Sequence, residues 1–312
     1  MSYRVVAADG VVVSALEALV GDPGFEVVEA SGTQVLEALP GAAGLIVRSA
    51  TKVDASLLDG ADSLRVVARA GVGVDNIDVD AATRRGVVVF NTPSANTLAA
   101  AEMTIALMLA VTRKVAAADH SVHDGVWDRA SFQGVELYGK VLGLVGAGRI
   151  GREVAARARA FGMTVVACDP YLADSVDVDL CPLEQVLAEA DVVSLHVPLN
   201  DDTRHLIDAR AIASMKPGSF LINASRGGVV DEAALVEALQ TGHLAGAALD
   251  VYEQEPLPPE SQLRSAPNLV LTPHLGASTA EAQRRVAVEA AELVHRALTK
   301  GDYSGAVNED RL

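Results

Sequence analysis

Short runs of Val, Ile, Leu and Ala alternate with longer Ala-rich stretches along the first third of the chain. The runs predict strands at 4–8, 26–29, 44–47, 64–69 and 87–90. The stretches between them predict helices near 14–20, 33–39, 55–60 and 78–85. Uninterrupted apolar strands are typical of sheets buried on both faces, and strand–helix alternation favours a parallel sheet. The pattern therefore predicts one α/β domain in this region.

A polar break over 91–96 separates this region from a long predicted helix at 98–119, after which the alternation starts again. A last helix is predicted over 280–300. Six further strands are predicted at 140–145, 164–167, 192–196, 219–223, 245–249 and 269–271. Six strands in this order match one doubly wound dinucleotide-binding sheet. The chain is therefore expected to contain two α/β domains.

Gly146, Gly148 and Gly151 form a G-x-G-x-x-G motif between the predicted strand 141–145 and a helix over 152–160. The motif is weak evidence alone, but a strand before it and a helix after it are the context that it requires. The first glycine permits a tight turn, the second lets a pyrophosphate approach, and the third lets helix and strand pack closely. The free N–H groups of the helix terminus would face the phosphates.

Asp169 stands eighteen residues after Gly151, at the end of the next predicted strand. A carboxylate at this position can accept hydrogen bonds from both ribose hydroxyls and would repel a 2′-phosphate. Pro170 and Tyr171 follow it, so no Arg is placed there to bind such a phosphate. The sequence therefore favours NAD over NADP, with an ordinary turn aspartate before proline as the alternative interpretation of Asp169.

Arg226, Glu255 and His274 each follow a predicted strand, at the edge where ligands bind open parallel sheets. Oxidation of a secondary alcohol needs a base, and His titrates near neutral pH. A neighbouring carboxylate would fix the His tautomer, and the planar Arg fork suits an α-carboxylate. Each residue alone also has a structural interpretation: a loop contact for His274, an ion pair with Asp231 for Arg226, and a solvated position for Glu255.

The composition narrows the choice of partners. With 25 Lys and Arg against 41 Asp and Glu, the formal net charge is −16, which disfavours nucleic acid and acidic membrane surfaces as partners. The two cysteines, Cys168 and Cys181, have neither redox-motif nor zinc-site spacing, and no metal is expected. The absence of a signal-peptide pattern and of an apolar stretch long enough to span a bilayer favours the cytoplasm.

Taken together, these residues resemble the D-isomer-specific 2-hydroxyacid dehydrogenases. The matching stretches, which occur in the order typical of the family, are 48–51, 69–78, 146–151, 225–228, 248–251 and 273–279. The resemblance implies two doubly wound parallel-sheet domains, with a Rossmann NAD-binding domain (98–283) inserted into a flavodoxin-like substrate domain (1–97 and 284–312). It also implies a homodimer joined through the NAD-binding domain, in which the arm 127–132 reaches across to the partner.

The resemblance implies roles for individual residues. Arg226, Glu255 and His274 would be the catalytic set. The implied cofactor-binding residues are Gly146, Gly148, Arg149, Ile150, Gly151, Asp169, Val197, Pro198, Ala224, Ser225, Asp250 and Gly276. Among them, Asp250 would meet the nicotinamide carboxamide. The implied substrate-binding residues are Arg48, Ser49, Val72, Gly73 and Asn96.

The expected reaction is the NAD-dependent oxidation of a small anionic D-2-hydroxy acid to the 2-keto acid, or the reverse. Within the family, 3-phospho-D-glycerate of serine biosynthesis is the first expectation for the substrate. Ala50 stands where some relatives place a second Arg, so Arg69 or Arg129 would have to supply that charge. Because the sequence stops at Leu312, feedback inhibition by serine through an added regulatory domain is not expected.

The same residues are consistent with other functions. The same pocket would suit a 2-hydroxy acid of a phosphonate pathway, or a glyoxylate or hydroxypyruvate reductase. A more distant alternative is an NADH-sensing corepressor built on the same scaffold, which would bind NADH tightly and turn over slowly. The complete Arg, Glu and His set favours an enzyme over this binding protein.

Overall fold

The computed structural model describes residues 2–172 and 178–311. The strands are β1 (Tyr3–Ala7), β2 (Phe25–Glu29), β3 (Ala42–Val47), β4 (Val66–Arg69), β5 (Val88–Asn91), β6 (Val141–Val145), β7 (Thr164–Cys168), β8 (Asp179–Leu180), β9 (Val192–Leu195), β10 (Ser219–Asn223), β11 (Leu244–Leu249) and β12 (Leu269–Leu271). The helices are α1 (Glu17–Val20), α2 (Gln34–Ala38), α3 (Ala55–Asp59), α4 (Val79–Arg84), α5 (Thr97–Thr112), α6 (Val115–His123), α7 (Arg149–Ala160), α8 (Leu183–Glu189), α9 (Ala209–Ser214), α10 (Glu232–Gln240) and α11 (Ala280–Lys300).

The chain divides into two compact units, and the first contains Met1–Asn96 together with Ala277–Leu312. Its five strands are all parallel, in the order β2-β1-β3-β4-β5. Successive strand residues enter opposite cores: Val5 packs with α11 and Val6 with α2 to α4. This two-sided burial is why the central strand, β3, is apolar and buried at every position. The order is that of the flavodoxin-like fold.

The second unit contains Thr97–Gly276. Its parallel sheet has the order β12-β11-β10-β9-β6-β7-β8, which is the doubly wound order of dinucleotide-binding domains with one additional strand at the β12 edge. Leu142 and Leu144 pack on one face with α5 and α7, whereas Val193 and Leu195 pack on the other with α8 to α10. The predicted fold class, two doubly wound parallel-sheet domains, is therefore confirmed.

Two details differ from the sequence prediction. The single helix predicted over 98–119 is two helices, α5 and α6, because Lys114 adopts a left-handed backbone conformation with φ 52°. Strand β8 is a seventh strand that the pattern did not predict. It is only two residues long and pairs Asp179 with Val166 and Leu180 with Ala167, so it carries no apolar run.

The ends of α11 show why some bounds were predictable. The Thr279 hydroxyl accepts a hydrogen bond from the Ala282 amide at 3.1 Å, which caps the first turn. At the other end Gly301 takes the left-handed conformation with φ 62°, which glycine adopts without steric cost. Across the described residues, we find no helix with the length and apolar character needed to cross a membrane.

Candidate active site

The functional residues predicted in the second unit lie beyond the carboxyl ends of neighbouring strands. His274 follows β12, Glu255 follows β11 and Arg226 follows β10, and these three strands are adjacent in the sheet. The glycine motif follows β6 and Asp169 follows β7, which are also adjacent. We call the edge beyond β10 to β12 the catalytic half and the edge beyond β6, β7 and β9 the nucleotide half.

The glycine motif has the shape that a dinucleotide requires. Gly146 has φ +99°, and a Cβ placed on it would lie 2.5 Å from the His196 carbonyl oxygen. A Cβ on Gly151 would overlap the Gly146 carbonyl, so this position holds helix α7 against the loop. A Cβ on Gly148, by contrast, would meet nothing within 4 Å, and the backbone there borders open space. The residues present therefore fit a bound pyrophosphate at the amino end of α7.

Asp169 lies beside this loop. Its Oδ2 accepts a hydrogen bond from the Ala147 amide at 2.9 Å, and its Oδ1 accepts one from the Tyr171 amide at 3.0 Å. The second bond is the turn role considered as the alternative interpretation. A carboxylate has about four acceptor positions, so these two bonds leave capacity for further donors. Ribose binding by Asp169 remains a prediction.

The other cofactor-binding residues predicted in this half are placed by the same elements. Arg149 and Ile150 begin α7, and Val197 and Pro198 follow β9. His196, which the sequence did not single out, shares a hydrogen bond of 2.9 Å between its Nε2 and the Ser194 hydroxyl. Burial lowers the pKa of His196 to about 4, so the ring is neutral at physiological pH.

His274 and Glu255 form the central pair of the catalytic half. The His274 Nδ1 lies 2.7 Å from Glu255 Oε2, and the Tyr252 amide donates to Glu255 Oε1 at 3.1 Å. Partial burial acts to raise the pKa of Glu255, but the hydrogen bond and charge of His274, the Tyr252 amide and the charge of Arg226 together lower it. An ionised carboxylate can only accept, so Nδ1 carries the hydrogen, and in the neutral form of the ring the lone pair lies on Nε2.

Arg226 leaves β10 on a loop that side chains hold in place. The fully buried Asn223 donates from Nδ2 to the Arg226 carbonyl at 2.9 Å, and its Oδ1 accepts from the Ser225 amide and hydroxyl at 3.0 and 2.8 Å. The Arg226 guanidinium donates from Nη1 to the Ser225 carbonyl at 2.7 Å. Its charge contributes to the lowered pKa of Glu255, so the guanidinium lies near enough to interact with the His–Glu pair.

Gly227 joins the Arg226 loop to the Glu255 loop. A Cβ on Gly227 would overlap the carbonyl carbon and oxygen of Tyr252 and would lie 2.5 Å from the Glu253 amide nitrogen. The two backbones therefore touch directly at this point. Only glycine leaves room for that contact, because backbone atoms on both sides cannot move apart as a flexible side chain could.

Asp250 holds the loop that carries His274. It is fully buried, and its carboxylate accepts from the Thr272 hydroxyl at 2.6 Å, the Leu275 amide at 2.7 Å and the Gly276 amide at 2.7 Å. His274, which lies between Thr272 and Leu275, has φ +56°, a left-handed conformation that is unusual for residues other than glycine. The family resemblance implies only a cofactor role for Asp250, and nothing in the local sequence pattern indicates these three hydrogen bonds.

Tyr252 supports the same loop from the other side. Its hydroxyl donates to the Thr272 carbonyl at 2.8 Å. Burial, together with the charge of Asp250, raises the pKa of Tyr252 to about 12, so the hydroxyl keeps its proton. Of the remaining cofactor-binding residues predicted, Ala224 and Ser225 follow β10 and Gly276 follows β12. Among the described residues, no group of three His, Cys, Asp or Glu side chains could hold a metal ion.

The first unit carries the predicted substrate residues at the corresponding edge of its own sheet. Arg48 and Ser49 follow β3, Val72 and Gly73 follow β4, and Asn96 follows β5. The Asp9 carboxylate fixes the first of these loops by accepting from the Arg48 amide at 2.8 Å and the Thr51 amide at 3.0 Å. The Asn91 side chain fixes the second by donating to the Val72 carbonyl at 2.6 Å.

The two arginines considered for a substrate anion differ in their surroundings. Arg69 ends β4 and its guanidinium lies directly against Gly71, in the space that a Cβ on that glycine would occupy. Arg129 is exposed in the second unit. The assignment of all these residues to the substrate, and of substrate binding to the first unit, remains a prediction.

Comparison with known proteins agrees with this geometry. The family model for the NAD-binding domain of D-isomer specific 2-hydroxyacid dehydrogenases matches residues 105–276. The chain is 50% identical over 282 residues to the D-3-phosphoglycerate dehydrogenase of Mycobacterium leprae, covering 89% of this chain and 53% of that protein. The chain thus spans about half the length of the curated relatives that it matches.

Two solved structures are similar over almost their whole length. The TT0316 protein of Thermus thermophilus is 41% identical with a TM-score of 0.90, and the match covers 97% of this chain and 99% of that one. A glyoxylate reductase from Paecilomyes thermophila is 31% identical with a TM-score of 0.87, and the match covers 99% of both chains. The predicted NAD cofactor is confirmed by the matched NAD-binding domain. The chain therefore belongs to the D-isomer specific 2-hydroxyacid dehydrogenase family.

Proposed function

We propose that this protein oxidises a small anionic D-2-hydroxy acid to the 2-keto acid with NAD, or catalyses the reverse reduction. The observation that carries the proposal is the His274–Glu255 pair, with Nδ1 and Oε2 2.7 Å apart and with Arg226 close enough to lower the pKa of the carboxyl. The pair fixes the tautomer in which Nε2 of the neutral imidazole can take a proton. It also places a planar cation close to the pair.

The roles of the chain's own residues follow from these positions. Arg226 binds the substrate carboxylate through its planar fork. His274 Nε2 removes the hydroxyl proton as the C–O single bond becomes a carbonyl, and the imidazolium that forms is stabilised by ionised Glu255. Bound NAD supplies the acceptor for the hydride that leaves the α-carbon. In the reverse direction His274 returns its proton to the oxygen of the keto acid.

The first proposed substrate is 3-phospho-D-glycerate, as in serine biosynthesis. Its support is that relatives 47–50% identical to this chain are named D-3-phosphoglycerate dehydrogenase. We propose that Arg48, Ser49, Val72, Gly73 and Asn96 contact the substrate. Because Ala50 offers no charge, Arg69 is the first candidate for the phosphate, and Arg129 of a partner subunit is the second.

Reduction of glyoxylate or hydroxypyruvate is the second candidate. The observation that favours it is the similarity to a glyoxylate reductase, at 31% identity over 99% of both chains. Such substrates carry the carboxylate for Arg226 but no phosphate. This candidate predicts that substitutions of Arg69 leave turnover unchanged.

We also propose a homodimer joined through the NAD-binding domain, in the cytoplasm and without a nucleic-acid partner. Its support is a set of exposed apolar side chains around α6 and the arm that follows it. Trp127 is 81% exposed, Tyr138 79%, Val122 56% and Val126 53%. Large apolar side chains exposed to this extent are typical of surfaces that a partner covers. Sedimentation of Trp127→Asp against the unchanged protein tests the interface.

The function is tested by incubating the purified protein with NAD and 3-phospho-D-glycerate, trapping the keto product and following NADH formation. Plain D-2-hydroxy acids, a phosphonate analogue and the reduction of glyoxylate are run in parallel. Fastest turnover with phosphoglycerate supports the first candidate, and fastest turnover with glyoxylate supports the second. Tight NADH binding without turnover of any substrate would refute the enzyme and favour an NADH-sensing protein.

A further inference from the structure

Three side chains that the proposed reaction does not use meet at the loop between β11 and Glu255. Glu232 is the first residue of α10, His205 lies between β9 and α9, and Glu253 is in the loop itself. The His205 Nε2 lies 3.1 Å from Glu253 Oε1. All three are at least partly accessible, and none of them was singled out by the sequence motifs.

Glu232 and Glu253 exchange hydrogen bonds between side chain and backbone. The Glu253 amide donates to Glu232 Oε1 at 2.7 Å, and the Glu232 amide donates to Glu253 Oε1 at 3.4 Å. The preceding amide, that of Tyr252, donates to Glu255 Oε1. The successive amides of Tyr252 and Glu253 thus donate to two different carboxylates. The position of the Tyr252 amide therefore depends on the hydrogen bond that anchors the Glu253 amide.

The proximity of the Glu232 and Glu253 carboxylates is electrostatically unfavourable. Partial burial raises the pKa of Glu232, and the negative charge of Glu253 adds to that effect, while the Glu253 amide and the charge of His205 act against it. Like charges at short distance destabilise each other. The hydrogen bond from the Glu253 amide, at 2.7 Å, and the charge of His205 partly offset this repulsion. Together they fix the loop backbone at Glu253, two residues before Glu255.

We infer that Glu232 is a positioning residue for the catalytic pair. By holding the Glu253 amide, it fixes the Tyr252–Glu255 turn and therefore the orientation of the Glu255 carboxylate toward His274. This inference rests on the proposed function, because its effect is on proton transfer by His274. Misplacing a reacting group by about 1 Å can reduce a rate about 100-fold.

The test compares Glu232→Ala, Glu232→Gln and Glu237→Ala in the whole protein with its preferred 2-hydroxy acid. Glu237 is exposed on the same helix and serves as the matched control. Alanine removes the acceptor for the Glu253 amide, so kcat should fall about tenfold while KM and the NADH dissociation constant change less than about twofold. Glutamine keeps an acceptor oxygen and should restore most of kcat. The control should match the unchanged protein.

A double-mutant cycle shows whether the effect passes through Glu255. In a Glu255→Gln background, Glu232→Ala should change kcat much less than it does in the unchanged protein, because the carboxylate to be oriented is already lost. Additive effects would show that Glu232 acts independently of Glu255, and they would overturn the inference. If Glu232→Ala does not fold, Glu232→Asp replaces it: the shorter side chain keeps the charge but draws the acceptor away from the Glu253 amide, so it should also lower kcat selectively.

The outcomes separate this inference from the proposed function. An active unchanged protein whose kcat is the same in Glu232→Ala overturns this inference alone, as does a loss that glutamine does not restore. Absence of turnover in the unchanged protein refutes the proposed function and this inference with it. Selective loss of kcat, restoration by glutamine and non-additivity with Glu255→Gln together establish the positioning role.

Discussion

The nucleotide half and the catalytic half of one sheet edge are built in different ways. In the nucleotide half the decisive feature is missing side chains: Gly146 and Gly151 allow close backbone contacts, and Gly148 leaves open space. In the catalytic half, polar side chains such as Asp250 and Asn223 hold loops in position. One half therefore provides room for a ligand, and the other provides fixed geometry for chemistry.

This difference has consequences for how each half tolerates change. A glycine that faces open space can gain a methyl group without harm to the fold, so its replacement should affect binding alone. A residue that joins two loops cannot be changed without moving both. Gly227 is the exception within the catalytic half, because it is a glycine whose role is contact between two backbones.

Gly227→Ala should have the largest effect, since its Cβ would overlap the Tyr252 carbonyl. Neither backbone can yield without displacing Arg226 or Glu255, so the free energy of unfolding should fall by about 3 kcal/mol and turnover should be lost. Urea unfolding and a turnover assay measure both quantities.

The adjacent Gly228→Ala is the control for this change. The atoms nearest to its Cβ would be those of the Leu199 and Arg204 side chains, at 3.3 Å and beyond, so the cost should be at most about 1 kcal/mol. Equal destabilisation by the two alanines would contradict the proposed contact between the loops.

Gly148→Ala and Gly151→Ala should separate binding from stability within the nucleotide half. The first adds a methyl group to open space, so stability should change by less than about 0.5 kcal/mol while the NADH dissociation constant rises at least about tenfold. The second overlaps the Gly146 carbonyl and should reduce stability by about 2 kcal/mol as well. Fluorescence titration with NADH and thermal unfolding provide the measurements.

The result that would count against this account is Gly148→Ala binding NADH as tightly as the unchanged protein. In that case the open space at Gly148 would not be the approach to the pyrophosphate. Loss of stability in Gly148→Ala would equally contradict the structure, which shows no neighbour within 4 Å of the added atom.

Asp250→Asn should show that the loop carrying His274 depends on the hydrogen-bond acceptors of the Asp250 carboxylate. An amide offers one acceptor oxygen in place of two, so at least one of the three donors from Thr272, Leu275 and Gly276 loses its partner. The free energy of unfolding should fall by about 2 kcal/mol, and kcat should fall with it because His274 lies in the same loop.

Asp202→Asn is the matched control, since Asp202 is exposed. Stability and kcat of this variant should equal those of the unchanged protein. If Asp250→Asn behaves like the control in both measurements, the carboxylate does not hold the His274 loop.

The smallest effect concerns stability at high pH. The pKa of Tyr252 is raised to about 12 in the folded protein, against about 10 in an unfolded chain. The folded state therefore keeps a proton that the unfolded state releases, and stability is lost as pH rises from about 10 to 12. Tyr252→Phe removes this contribution, so its stability should decline less steeply in that range.

Tyr171→Phe is the control, because Tyr171 is 82% exposed. Urea unfolding at pH 9, 10 and 11 compares the three proteins. Parallel decline of the unchanged protein and Tyr252→Phe would show that the hydroxyl is not protected by the fold.

Much of the nucleotide half could be predicted from sequence because its signal is local. Gly146, Gly148 and Gly151 fall within six residues between one strand and one helix. Strand positions were predictable for a similar reason, since burial makes most of the strands rich in Val, Leu, Ile and Ala. The break at Lys114 and the short strand β8 were not, because a left-handed residue and a two-residue pairing leave no periodic pattern.

The supports of the catalytic half could not be predicted in this way. Asp250 binds donors 22 to 26 residues away, and Gly227 contacts Tyr252 and Glu253 across two loops. Such contacts exist only after the strands have been brought side by side. Arg226, Glu255 and His274 were identifiable because each follows a strand and suits the same chemistry, but the residues that orient them carry no motif.

The separate roles of the nucleotide half and the catalytic half are best tested by measuring NADH binding and hydroxy-acid oxidation in Arg226→Ala. If the two halves of the edge have separate roles, oxidation should fall at least about 1000-fold because the substrate carboxylate loses its anchor. The NADH dissociation constant should stay within about twofold of its original value, since Arg226 belongs to the catalytic half. Retained oxidation, or loss of NADH binding together with oxidation, would contradict this division of the sheet edge.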